Sequence, residues 1–380
     1  MLLTSIAAPV FWLSVALLFF TFVGYGLLIK TLAQNYHRPL SSTVDAAPLP
    51  AVCVILSAHN TESTIVERVE NLLNAEYPAD KLRVIIVSDG STDSTVEQVQ
   101  AMNHERIEVI ALPSRAGKSN ALNVAFARCT EEIVVLTDIR QRFAPEAIAR
   151  LVKHFSDPTI GAVSGSLEIS PAASVTGSGV DAYWRYEKSL RAAESHFDSC
   201  IGCTGAIYAV RRSLFTPIPA DTLLDDVIIP MHIAATGARV IHDSEARAFD
   251  PQPLEPAAEH RRKQRTLAGG FQMLFRYPAW LLPRGHRLWW QLIAHKYLRL
   301  LAPFFLATTL LSNLALATHP FYAACLTLQA ILYLCAVLGS LPSARRTRLL
   351  ALPAAFVFLN LQTLRGLLYY LSGAGQRGWR

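Results

Sequence analysis

Apolar residues follow three regimes along this chain. From Pro9 to Ile29 they run without a charge (PVFWLSVALLFFTFVGYGLLI), about the length one bilayer-spanning helix needs. Between residues 51 and 270 they come in short bursts separated by polar turns. Long runs then return at Leu298–Ala317, Phe321–Leu341 and Leu349–Leu371. Within the middle regime, Ala51–Ser57, Leu82–Ser88, Ile107–Leu112 and Glu132–Thr137 read as strands, apolar on both faces. Val66, Val69, Leu72 and Leu73 recur at helical spacing up to Tyr77-Pro78. Ser94-Thr95-Val96-Glu97 has the form of a capping box, and Ser119–Cys129 and Val227–Ala235 read as further helices. Buried strands alternating with helices predict an α/β fold, its mostly parallel sheet covered on both faces. Such sheets bind ligands outside the carboxyl ends of their strands.

The pattern divides the chain into a transmembrane helix (1–37), a Ser/Pro/Ala linker (38–50), the α/β domain (51–270), an interfacial stretch (271–296) and transmembrane helices (297–380). The first run lacks the basic flank and small-residue cleavage site of a signal peptide and is expected to be retained. In the interfacial stretch, Trp280, Trp289 and Trp290 beside Arg284 and Arg287 suit an amphipathic helix among lipid headgroups. Lys30, His37 and Arg38 follow the first run, and Arg345, Arg346 and Arg348 separate the last two. By the positive-inside rule, the α/β domain is cytoplasmic in a multi-pass protein of the inner cell membrane. Arg377 and Arg380 fall on the outer side in this scheme, and Arg365 within the last run is a candidate for the bundle interior.

Composition agrees: 52% of the 380 residues are hydrophobic. The formal charge of +6 resides largely beside apolar runs, which argues for membrane flanks and against a nucleic-acid surface. The six cysteines include one CxxC, Cys200 to Cys203, without the second pair or histidines that a zinc site needs. Few spans and scarce intramembrane charge argue against a transporter.

The candidate chemistry follows the strands. Ser57-Ala58-His59-Asn60-Thr61-Glu62 comes after the first, Asp89-Gly90-Ser91-Thr92-Asp93 after the second and Asp138-Ile139-Arg140 after the fourth. Carboxylates there can accept from a base or ribose, or hold a divalent cation against a diphosphate. Taken in order, these segments resemble the family 2 glycosyltransferases, inverting GT-A enzymes that include cellulose, chitin and hyaluronan synthases. The resemblance runs from Val52 to about Gly270. It implies a donor site at Ser57, His59, Asn60 and Glu62, with Asp89 reading the nucleotide base. Arg115-Ala116-Gly117-Lys118 before Asn120-Ala121-Leu122-Asn123 matches the family's GK-x-x-AL-N stretch, putting Lys118 near the donor. Asp138 matches the first Asp of the family's DxD, which implies Mg2+ or Mn2+ held by Asp138. Cys203 to Arg212 resembles the stretch lining the acceptor side, Gly205 included. Asp226 matches the catalytic base, with Asp225 as its orienting neighbour. Arg262 and Arg265 fall in the Q-x-x-R-W region, where Arg265 would contact the diphosphate.

Asp225 stands where the family usually has Glu, and two further residues depart from the pattern. Arg140 stands where the DxD has its second Asp; either it supplies charge in place of metal, or it points to solvent while Asp138 keeps the metal, with Gln141 and His242 as nearby alternatives. Thr266 stands where processive members have a sugar-stacking Trp. The expectation is a membrane-bound inverting transferase. It uses a nucleotide-diphosphate sugar and a glycan or lipid-linked acceptor in exopolysaccharide or cell-surface glycan synthesis. The alternatives are a processive, polymer-extruding synthase and a catalytically silent nucleotide-binding subunit of a secretion complex.

Overall fold

The computed structural model describes residues 2–36, 38, 48–169, 178–250, 256–341 and 347–373. Most of the linker, Arg345, Arg346, Arg377 and Arg380 lie outside them. Helix α1 (Leu2–Phe19) continues through one π-turn (Phe20–Gly24) into α2 (Tyr25–Asn35). The α/β part then runs β1 (Val52–Ala58), α3 (Ile65–Leu73), β2 (Leu82–Ser88), α4 (Thr95–Ala101), β3 (Ile107–Ala111), α5 (Lys118–Arg128), β4 (Ile133–Thr137) and β5 (Arg142–Phe143). It continues with α6 (Ala147–Val152), β6 (Ile160–Ile169), α7 (Ser178–Phe197), β7 (Ile207–Arg211), α8 (Asp225–Ala235), β8 (Arg239–Asp250) and α9 (Pro256–Arg276). After a short connection come α10 (Trp289–Leu292), α11 (Leu298–Ala315), α12 (Pro320–Ser340) and α13 (Arg348–Leu371).

One sheet organises the middle of the chain, in the order β3-β2-β1-β4-β7-β6-β8-β5. The half that the apolar bursts predict, β3-β2-β1-β4, is all parallel. The other half is mixed: β7 runs antiparallel to β4 and β6, β8 is parallel to β6, and β5 is antiparallel to β8. Successive residues of β1 feed opposite cores. Cys53 and Ile55 pack with α5 and α8 on one face, while Val52, Val54 and Leu56 pack with α3 and α6 on the other. This explains an apolar run with no alternation. Chain order reverses between β1 and β4, so the polar turns after β1, β2 and β4 surround one crevice.

Two local expectations change. The Ser94 hydroxyl does not cap α4; it donates to Glu62 Oε2 at 2.7 Å, and Asp93 Oδ1 accepts from the Thr95 N–H at 3.1 Å instead. The stretch 271–296 is not one helix. It comprises the end of α9, a 3₁₀ turn (Pro278–Leu281), α10 and most of a π-turn (Ile293–Tyr297). Its Trp280 is buried and stacks on Tyr277, with ring centroids 4.2 Å apart. Arg287 donates to the carbonyls of Ala234 and Ala238, closing the end of α8. Among the described residues, four helical segments are long and apolar enough to cross a membrane: Ser5–Asn35, Trp289–Ala315, Pro320–Ser340 and Leu349–Leu371.

Candidate active site

The first two turns are sewn together. The Asn60 backbone sits at φ 49°, a conformation asparagine tolerates, and its side-chain oxygen accepts from the Thr92 N–H at 2.9 Å. Its own N–H donates to Ser91 Oγ at 3.1 Å. The Glu62 N–H donates to Asp93 Oδ2 at 3.1 Å, and the Glu62 carboxylate accepts from the Ser94 N–H. His59 bonds the Asp89 carbonyl at 2.7 Å through Nδ1. Ser57 lies on β1 opposite Val87 of β2. Hydrogen bonds of His59, Asn60 and Glu62 thus join the turn after β1 to the turn after β2.

Asp89 directly follows β2. It is buried, and its two oxygens accept from the N–H groups of Ala116 at 2.7 Å and Gly117 at 2.8 Å. It therefore fixes the loop that delivers Lys118. Gly90 (φ 63°) lets that loop pass: a Cβ there would collide with the backbone of Ser114 and Arg115.

Lys118 opens α5 and carries the central charge. Its ammonium lies 2.8 Å from Asp138 Oδ1 and 3.1 Å from Asp225 Oδ2. Burial alone would push this amine down, but Asp138, Asp225 and Asp226 together raise it well above its ordinary value. Asp225 and Asp226 are the first residues of α8, and neither is its N-cap, which is Leu224. Burial first, then the neighbouring Asp225 charge, push the Asp226 carboxyl up to about 6, against the opposing pull of Lys118 and Arg191. Gly205 makes room for it: a Cβ there would come within 2.9 Å of Asp226 Oδ2. The Cys203 N–H donates to the Asp226 carbonyl at 2.7 Å. Asp138, Lys118, Asp225, Asp226 and Gly205 thus meet at one edge of the sheet.

Helix α9 supports this edge from outside. Gln272 accepts from the Leu223 N–H at 3.0 Å and donates to the Asp221 carbonyl at 2.9 Å, holding the approach to α8. Arg262 and Arg265 lie earlier on α9, both partly exposed. Thr266 is exposed, and its hydroxyl bonds back to the Arg262 carbonyl at 3.0 Å.

Arg140 does not point to solvent. It pairs with Oδ2 of the buried carboxylate of Asp250 at the end of β8, whose Oδ1 has no hydrogen-bond partner among the described residues. Gln141 also turns to Asp250, with its Nε2 at 3.5 Å. His242 is partly buried, and burial with Arg191 nearby holds it neutral, down to about 4. The Arg140 charge is therefore spent on a structural pair. Arg140→Gln is expected to cost about 1–3 kcal/mol, because it leaves Asp250 buried and poorly paired. Thermal melting measures that loss.

The description "Glycosyl transferase family 2" matches residues 53–216. Those residues form a family 2 glycosyltransferase domain. The chain is 29% identical to an N-acetylglucosaminyltransferase of Rhizobium meliloti over 204 residues, 50% of this chain and 48% of that protein. It is 28% identical to the beta-monoglucosyldiacylglycerol synthase of Synechocystis, over 48% of this chain and 38% of that protein. The chain thus spans under half the length of these two relatives. Among solved structures, the mannosyltransferase PcManGT of Pyrobaculum calidifontis, in complex with GDP-Man and Mn2+, superposes with a TM-score of 0.71. It is 26% identical and covers 95% of this chain and 99% of that one, so the glycosyltransferase domain and its flanking helices share one GT-A architecture with it.

Proposed function

We propose that this protein transfers a sugar, with inversion, from a nucleotide-diphosphate donor to an acceptor hydroxyl at a membrane. One observation carries the reading: the Asp226 carboxyl, raised to about 6, stands beside the Lys118–Asp138–Asp225 cluster at the carboxyl edge of the sheet. A base near that value is ionised at neutral pH yet still takes up a proton. Asp226 accepts the acceptor's hydroxyl proton as the oxygen forms its bond to the anomeric carbon. The bond to the diphosphate breaks on the opposite face, and the nucleotide diphosphate leaves with the electron pair. Lys118 lies where it can meet that developing charge. Asp89 contributes by holding the 116–117 backbone.

A divalent cation fits the charge balance of the site. Three carboxylates, Asp138, Asp225 and Asp226, face Lys118, with Arg191 near Asp226, so an incoming diphosphate meets no excess of positive charge. Mg2+ or Mn2+ needs only one or two protein carboxylates when phosphates supply other ligands. Asp138, partly exposed, is the residue that would hold it. Bound there, the cation would neutralise diphosphate charge, a role Arg140 does not fill while paired with Asp250. The Mn2+ of the similar mannosyltransferase supports this reading. EDTA is therefore expected to lower nucleotide release at least tenfold, and added Mn2+ or Mg2+ to restore it. Turnover unchanged by EDTA would remove the metal from the proposal.

The four long apolar helices support a multi-pass membrane protein, and Lys30 and Arg38 after the first support a cytoplasmic catalytic domain. The relatives' products, a glycolipid in one case, support a lipid-linked or glycan acceptor. Thr266, bonded to its own helix, offers no aromatic platform, which favours single addition over processive synthesis. Release of nucleotide diphosphate from a panel of UDP- and GDP-sugars by the purified protein in detergent tests the activity. No turnover of any donor would favour the silent nucleotide-binding reading.

A further inference from the structure

Helix α7 carries an arginine that no motif marks. Arg191 Nη1 donates to Thr204 Oγ1 at 2.7 Å. Thr204 is also tied to β6, its N–H donating to Ser164 Oγ at 2.9 Å. On one side of Thr204, the Cys203 N–H donates to the Asp226 carbonyl; on the other, Gly205 leaves room for the Asp226 carboxylate, which a Cβ there would approach to 2.9 Å. The 203–205 segment is thus a shim between Arg191 and Asp226.

Arg191 is steadied from behind. Glu187 lies one turn earlier on α7, with Oε1 3.9 Å from Arg191 Nε. That same carboxylate bonds His295 Nε2 at 2.9 Å and Arg299 Nη1 at 2.6 Å. His295 Nδ1 faces Glu194 Oε1 at 2.7 Å, and the Tyr25 hydroxyl donates to Glu194 as well. His295 thus bridges the two carboxylates through its two ring nitrogens. Burial would push Glu187 and Glu194 up, but His295 foremost, with Arg299 beside Glu187 and the Tyr25 hydroxyl on Glu194, holds both below the usual carboxylate range. Helix α7 is thereby bolted to the first apolar segment and to the start of the second.

We infer that Arg191 is a positioning residue for the base: it holds Thr204 and Gly205 against Asp226, gives that carboxylate a positive neighbour, and is itself braced by the helices bearing Tyr25 and His295. The inference rests on the reading of Asp226 as base. The charged groups facing Asp226 are Asp225 on α8, Lys118 on α5, Asp138 after β4 and Arg191 on α7. Cys203 and Tyr208 also lie close, both pushed up by burial and so neutral. Of the two cations, Lys118 is already shared among three carboxylates.

The test uses the full-length protein in detergent and the UDP- or GDP-sugar that it turns over, read as nucleotide release against pH. Loss of Arg191 removes a charge that favours ionised Asp226. Arg191→Gln is therefore expected to move the acidic limb of kcat/KM upward by about one pH unit, with donor affinity unchanged. Arg191→Lys keeps the charge and should return the limb to its wild-type position while kcat stays several-fold low. Thr204→Val removes the hydroxyl and keeps the shape; kcat should fall several-fold with the limb unmoved. A limb that stays in place in Arg191→Gln overturns the inference, as does wild-type kcat in Thr204→Val, the variant that carries the test if Arg191→Gln fails to fold. Asp226→Asn separates the two readings. If it retains turnover, the base assignment itself fails; if it is inactive and the Arg191→Gln limb is unmoved, only the role of Arg191 fails.

Discussion

Asp226→Asn is expected to cut sugar transfer by about 10²- to 10⁴-fold, the usual contribution of a general base, while donor binding survives. The substitution keeps the shape and removes only the proton acceptor. Gly205 and the Cys203–Asp226 backbone bond need no carboxylate, so the pocket has no reason to collapse. In the wild type, activity should fall as pH drops through about 6, where Asp226 takes up its proton. The stability effect has the opposite sense. A carboxyl raised in the folded state binds its proton more tightly there than in the unfolded chain. Its favourable contribution is complete below the ordinary value of 3.8 and is lost as pH rises through about 6. Asparagine carries no such loss, so the variant should melt higher than wild type above neutral pH and no higher in acid. Thermal scans at the two pH values, beside nucleotide-release assays, check both halves. Near-wild-type transfer would refute the assignment.

Lys118→Met should be more damaging, because it removes activity and stability together. The ammonium is the shared counter-charge of Asp138 and Asp225, and its side chain is only 13% exposed. Without it, neighbouring carboxylates repel one another in a poorly hydrated site, at a cost of about 3–5 kcal/mol for breaking a buried pair. Asp226 loses one of its two stabilising cations and should titrate still higher. Transfer is expected to fall at least 100-fold, with weakened donor binding, since the diphosphate loses its central cation. Calorimetric melting and isothermal titration with UDP and GDP distinguish this outcome from that of Asp226→Asn, in which stability and nucleotide binding persist. A Lys118→Met protein that melts like wild type and still binds nucleotide would show that Lys118 is not the hub of the site.

The parallel half of the fold was legible because both faces of β1, β2 and β4 are largely buried, leaving nearly continuous apolar runs with polar turns at their ends. The mixed half was less so. In β8 the burial alternates toward its end, and Asp243 and Asp250 lie inside a strand, so no clean apolar run marks it. Asp138, Lys118, Asp225 and Asp226 could be named in advance because each sits in a recognisable short pattern. Their partners could not. Arg140 finds Asp250, 110 residues away, and Arg191 bonds Thr204 beside Asp226, on a helix whose sequence shows merely another arginine. The capping-box pattern at Ser94 failed for a related reason: Glu62, from a different turn, competes for the serine hydroxyl. Tertiary hydrogen bonds of this kind override local chemistry and leave no local trace.

The cluster of Glu187, Glu194 and His295 also bears on how this enzyme can be handled. A fragment trimmed to the α/β part would strip both glutamates of Tyr25, His295, Lys296 and Arg299 at once. Two buried carboxylates would then face water on the helix that carries Arg191. The smallest piece worth purifying therefore includes the greasy helices. Solubilising conditions should be judged by whether they keep that joint closed, not merely by whether they keep the protein in solution.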